Sequence, residues 1–214
     1  MNNISKHILI AGILGFFAVS AAQAETRATP FVGVAATYTD SGYDERYGTD
    51  SWAPGATLEG GVVVNDRHTF TLGVNYTQWE LDPTEVLAGF FVGNEITQVS
   101  FTAGYRYNFT VEKLGGIRVS LGPTVGIMHE THGFYTHSPG FGIINDMDKD
   151  SQWLPTYGGE LVISKAFANG WSVQTGVQLL IVKAHSYSHI GGIITENFDK
   201  TERLSYHAGV TYSW

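Results

Sequence analysis

From residue 31 onward the chain runs in a two-residue period. Between 96 and 109, Val99, Phe101, Ala103, Tyr105, Tyr107 and Phe109 alternate with Gln98, Ser100, Thr102, Gly104, Arg106 and Asn108. Successive side chains of an extended strand point to opposite faces, so this stretch has one apolar face and one polar face. The same alternation predicts strands over 31–39, 54–64, 69–79, 117–128, 153–165 and 171–183. It also predicts a closing strand at 203–214, where Leu204, Tyr206, Ala208, Val210, Tyr212 and Trp214 alternate with Ser205, His207, Gly209, Thr211 and Ser213. The expected fold class is all-β, an antiparallel up-and-down barrel of about eight strands.

The connections sharpen this picture. Short turns fall at 65–68, 112–116 and 167–170; long polar loops fall at 40–51, 80–94, 129–151 and 184–202. Strict alternation of short and long connections is the habit of transmembrane barrels, and a tilted strand of about ten residues crosses a bilayer. The polar faces carry Glu59, Asn75, Arg106, Arg118, Glu160 and Gln178. A soluble barrel would turn its apolar set inward. Charges at lumen positions imply the inverse, a polar filled lumen with the apolar set in lipid. Aromatic residues gather at two levels, Trp52, Trp79 and Trp153 toward the loops and Phe109, Trp171, Tyr212 and Trp214 toward the turns.

The N-terminus adds a compartment. Lys6, an apolar core over 8–19 and Ala22-Gln23-Ala24 form a secretory signal pattern, so 1–24 is expected to be cleaved and 25–214 to form the barrel domain. The apolar core is shorter than the ~20 residues of a helical span. Cys 0 excludes a disulfide framework and thiolate metal sites. Asp+Glu 20 outweigh Lys+Arg 12. Asp40, Asp44, Glu45, Asp50, Glu80, Asp82, Glu85, Glu130 and Glu196 fall in the expected outer loops, which disfavours nucleic acid or heparin as a partner.

The closing strand resembles the C-terminal targeting strand of bacterial outer-membrane β-barrels. That signature has a polar residue, a glycine two on, and hydrophobic residues at the third-last and last positions; here these are His207, Gly209, Tyr212 and Trp214. The family usually ends in Phe. The resemblance implies recognition by the barrel-assembly machinery and an integral, multi-pass place among outer-membrane lipids and lipopolysaccharide. An even strand count would put both mature termini in the periplasm. The mature chain as a whole resembles the small eight-stranded surface barrels: the OmpA membrane domain, OmpX and the opacity-type proteins. These imply a surface-exposed binding, adhesion or envelope-structural role, with an external ligand at the loops and no catalysis.

Several constellations could carry chemistry. Glu59, Arg106, Arg118 and Glu160 balance one another in charge and are expected to form a hydrogen-bonded lumen plug, or else a narrow pore for small solutes. His129, His132 and His137 in one loop and His185 and His189 in the next could ligate Zn²⁺ or Cu²⁺, but no local spacing completes a four-ligand set. Asp146, Asp148 and Asp150 resemble the opening of a calcium loop, yet Ser151 and Tyr157 stand where such a loop needs Gly and Glu. His185, Ser188 and Glu196 loosely resemble the catalytic groups of lipid A deacylase barrels. In that family His and Ser stand two apart on one strand face, and here they stand three apart. No cofactor is expected.

Overall fold

The computed structural model describes residues 27–40, 52–87, 90–138, 142–183, 186–188, 195–197 and 200–214. Residues 80–87, 90–94, 132, 134–138, 142–150, 186–188, 195–197, 200 and 201 are described by backbone alone. The signal segment expected at 1–24 lies outside these residues.

Eight antiparallel strands close into a barrel: β1 (Ala28–Asp40), β2 (Trp52–Val64), β3 (His68–Leu87), β4 (Phe90–Val111), β5 (Ile117–Ser138), β6 (Gly142–Ala166), β7 (Trp171–Lys183) and β10 (Lys200–Ser213). Each pairs with its sequence neighbours in the barrel, and β1 closes on β10 from Phe31↔Ser213 to Thr39↔Ser205. A two-stranded ribbon, β8 (Ser186–Ser188) with β9 (Thr195–Asn197), lies in the connection between β7 and β10.

The wall reads as the alternation dictates. Val34 (55% exposed), Leu58, Phe101, Leu121, Val125, Leu161 and Val173 face outward, while Thr71, Ser100, Asn108, Ser120, Thr124 and Thr211 are buried inside. Apolar out and polar in is the arrangement of a transmembrane barrel, because lipid and not the core receives the large apolar side chains. Among the described turns, the β2–β3 connection is the tightest. Asn65 and Asp66 take positive φ (51° and 58°), the left-handed conformation that Asn and Asp tolerate and that the central pair of a type I′ turn needs, closed here by the Arg67 amide on the Val64 carbonyl. Its backbone also ties in the residue before β1, since the Asn65 amide donates to the Arg27 carbonyl at 2.8 Å.

Strand lengths depart from expectation in one place. β1, β2 and β7 have 13 residues each, but β3 has 20, β4 and β5 have 22, and β6 has 25. Much of the loops expected at 80–94 and 129–151 is therefore ladder. β4 pairs with β5 up to Phe91↔His137, and β5 with β6 up to Ser138↔Gly142. β2 reaches only Gly55↔Thr77 on β3, and β7 only Thr156↔Val182 on β6, so β3 to β6 rise past the shared wall as one continuous four-stranded sheet. Polar composition suggested loops there, but Thr, Tyr, Phe and Ile over 131–145 are strand formers, and pairing satisfies backbone groups that a loop would leave to water.

Candidate functional site: a lumen filled in layers

Lumen positions of β2, β4, β6 and β10 bring four ionisable side chains together. Arg106 Nη2 meets Glu59 Oε2 at 2.7 Å, and Arg106 Nη1 meets Glu160 Oε2 at 3.5 Å. His207 Nε2 stands 3.8 Å from Glu160 Oε1. Arg106 is 4% exposed, so one guanidinium spans the lumen between two carboxylates out of reach of bulk water. A local backbone feature places it. Pro123 has no N–H to give, and the β4–β5 ladder lapses opposite it at Tyr105 and Arg106 before resuming in register at Tyr107↔Leu121. Gly122 permits the close approach, because a Cβ there would lie 1.8 Å from the Tyr105 carbonyl oxygen. Beside the cluster is a cavity of about 30 Å³ lined in part by Thr37, Glu59, Thr124, Glu160 and His207. It has room for about two waters, and Thr37 Oγ1, Thr124 Oγ1 and Glu59 Oε1 are buried without a hydrogen-bond partner among the described residues.

Toward the loop end a second layer crosses the lumen. Arg203 Nη2 donates to Glu130 Oε2 at 2.8 Å; Gln98 donates to the same oxygen, and Gln152 to Glu130 Oε1 at 3.5 Å. The Arg203 guanidinium lies over the Trp79 ring, 5.7 Å from its centroid, a cation–π contact that also shields the charge. Two apolar groups complete the seal, Ala53 with Trp79 and Ile96, and Met128 with Leu154 and Val182. At the turn end a neutral layer joins Thr69, Asn108 and Ser120, with Ser120 Oγ donating to Asn108 Oδ1 at 2.8 Å.

Three of the four expected lumen residues thus meet. Arg118 does not join them: it is the second residue of β5, a third exposed, and its side chain reaches Asp66 of the β2–β3 turn at 4.0 Å. Glu130 corrects another expectation. The loop composition around it points to the acidic outer rim, but it is 1% exposed inside the barrel. Trp79, expected at the outer aromatic level, is buried in the lumen at 2%. In both cases β3 and β5 simply run on with unbroken parity. Extending the two-residue period through β3 and β5 would have found both; Gln98 and His207 already stand on the expected polar faces, and Arg203 continues that of β10, but alternation alone does not say which of them meet.

The closing strand lies as expected. Tyr212 and Trp214 face outward, stacked at 6.3 Å, and Tyr212 packs on Trp171 at 5.1 Å. Gly209 lies at the β1 seam, where a Cβ would meet the Val34 carbonyl oxygen at 2.1 Å. Trp52 stacks between Tyr38 and Tyr206, and Trp153 packs on His129 and Phe101, an outer belt of amphipathic rings. His129 thus faces its aromatic neighbour. Among the described residues no cluster of three His, Asp or Glu could hold a metal. The side chains of His132, His137, Asp146, Asp148 and Asp150 lie outside the described residues; their backbone is ladder, with Asp150 opposite His132. His185 and His189 lie outside them altogether. Ser188 and Glu196 are described by backbone alone, in the ribbon, opposite Thr195 and Tyr187.

A barrel with a polar, charge-filled interior and an aromatic-edged apolar exterior has the architecture of the small transmembrane β-barrels. Solved structures agree on the fold. The chain is similar to Neisserial surface protein A (11% identity, TM-score 0.54, 88% of this chain and 99% of that one). It is similar also to a major outer membrane protein from Thermus thermophilus (12%, 0.53, 87% and 99%). Ail, the attachment invasion locus protein of Yersinia pestis, aligns over 89% of this chain and 99% of its own at 17% identity and a TM-score of 0.49. No protein-family model and no curated protein matches the chain.

Proposed function

We propose that the chain is an integral protein of the bacterial outer membrane, a surface-exposed binding or envelope-structural barrel that does no catalysis. The carrying observation is the contrast between a filled lumen and a tall four-stranded extension. Charged and apolar layers fill the interior, while β3 to β6 rise past the wall and offer a paired sheet surface beyond it. A filled lumen weighs against the pore reading, because buried ion pairs and apolar groups cross the interior among the described residues.

On this reading 1–24 is removed after secretion, the assembly machinery reads His207, Gly209, Tyr212 and Trp214, and the four-stranded extension faces the medium among lipopolysaccharide. Both termini then lie in the periplasm, since β1 starts and β10 ends at the turn end. Protease treatment of intact cells tests this directly. Cleavage should fall in the connections at the loop end and leave a membrane-embedded core. Cleavage at 112–116 on intact cells would invert the orientation. A lipid A mass profile with and without expression tests the non-catalytic assignment; loss of acyl chains on expression would overturn it.

A further inference from the structure

The two ends of the barrel differ in charge. Most of the acidic residues lie toward the loop end, but Arg27, Arg67, Lys113, Arg118 and Lys165 all stand at the turn end. The acidic side chains there, among the described residues, are Asp66 and Glu112. Asp66 is already shared, with Arg27 at 3.8 Å and Arg118 at 4.0 Å. Lys113 and Lys165 have no carboxylate partner among the described residues.

Their surroundings are apolar and open. Ile163, on the same outward face of β6 two residues before Lys165, is exposed to the bilayer side. The Lys165 ammonium turns back over the β4–β5 turn, so that a Cβ on Gly115 would lie 3.5 Å from Nζ. Lys113 is two residues away in the short 3₁₀ turn Glu112–Leu114. Leu114 is 60% exposed and Phe167, two residues beyond Lys165, is 53% exposed. Lys165 thus starts from the outward face that carries Ile163 and brings its ammonium over the turn, the placement of a snorkelling residue at a headgroup level.

We propose that Lys113 and Lys165 form a docking surface for the phosphate of an anionic phospholipid, in the leaflet at the turn end; this rests on the membrane-spanning reading above. The charge selects the phosphate, and Leu114 and Phe167 select a lipid over a soluble acidic partner. A hydrated glycan or acidic protein would leave both in water, whereas the acyl region beneath a headgroup covers them.

The test uses the full barrel domain reconstituted in phosphatidylcholine vesicles, with tryptophan fluorescence quenched by brominated phosphatidylglycerol or brominated phosphatidylcholine. Trp171 and Trp214 report on the turn end. The expected result is a preference for phosphatidylglycerol of about fivefold, the effect of roughly one basic side chain near an anionic surface. The preference should vanish in the Lys113→Gln/Lys165→Gln double variant, survive in Lys113→Arg/Lys165→Arg, and be unchanged in Lys183→Gln at the loop end. Gel mobility before and after boiling verifies that each variant is a closed barrel. Equal quenching by both lipids in wild type, or a preference that persists in the double glutamine variant, would overturn the proposal. So would sedimentation with insoluble peptidoglycan that the double glutamine variant loses, because the two lysines would then serve a cell-wall polymer.

Discussion

Glu130 and Arg203 meet at 2.8 Å although their strands, β5 and β10, are not neighbours in the barrel. The contact crosses the lumen. Arg106 does the same twice, reaching past β3 to Glu59 and past β5 to Glu160. Such contacts brace the wall from within, and each is open to a direct test.

Removing one member of the upper pair strands a buried charge. Arg203→Ala is expected to cost ~3–5 kcal/mol, the usual penalty for breaking a buried ion pair. Replacing both partners, as Glu130→Leu with Arg203→Met, should recover most of that, because an apolar pair leaves no charge to desolvate. Urea unfolding of the reconstituted barrel, followed by tryptophan fluorescence, gives both values. If the double variant were no more stable than Arg203→Ala, the seal would depend on the charges themselves.

Arg106 serves two carboxylates at once. Arg106→Ala should therefore lose more stability than Glu59→Gln, which leaves Glu160 in place to hold the guanidinium. Wild-type protein in planar bilayers should pass little current. A large ion-selective conductance in the wild type would show that the Glu59–Arg106–Glu160 cluster conducts instead of plugging.

Trp79 and Trp153 offer a contrast between two solvents. Trp79 fills the lumen beside Ile96 and Ala53; Trp153 lies on the outer wall at 53% exposure. Trp79→Ala should cost ~3–5 kcal/mol, the range for emptying a packed aromatic site, and should raise the frequency of brief channel openings. Trp153→Ala should cost less, since lipid refills the space. Equal losses in the two variants would mean that Trp79 is not part of the seal.

At the seam, Gly209 has no room for a side chain. Gly209→Val should lower the yield of heat-modifiable barrel severalfold, because the new methyls collide with the Val34 carbonyl and the Ala35 side chain. Trp214→Phe should assemble normally, whereas deletion of 212–214 should leave secreted protein that does not insert. Insertion of the truncated chain at the wild-type level would remove the targeting role of these residues.

Much of this architecture is legible in the sequence because a membrane barrel writes its two solvents onto alternate residues. Strand positions, the inward faces of Glu59, Arg106 and Glu160, and the outward Tyr212 and Trp214 follow from parity alone. The departures arise where residue type outweighs parity. Trp79 resembles an interface residue by type, and Glu130 resembles a loop residue because His129, His132 and Gly133 surround it. The cross-lumen pairings were not legible at all. Which inward residues meet depends on the stagger between strands, and that is a property of the closed ring and not of any one strand.

Both charged layers draw a member from β10. Arg203 completes the upper one, and His207 stands beside Glu160 in the lower one. Since β10 is the last segment of the barrel to be synthesised, a half-built sheet holds Glu130 without its Arg203 partner. An open intermediate is then electrostatically unfinished as well as unpaired at its edges, and the step that docks β10 on β1 removes both defects together. The interior thereby works as a closure check. A barrel that stalls one strand short, or accepts a foreign strand in place of β10, keeps an unbalanced acid in its lumen.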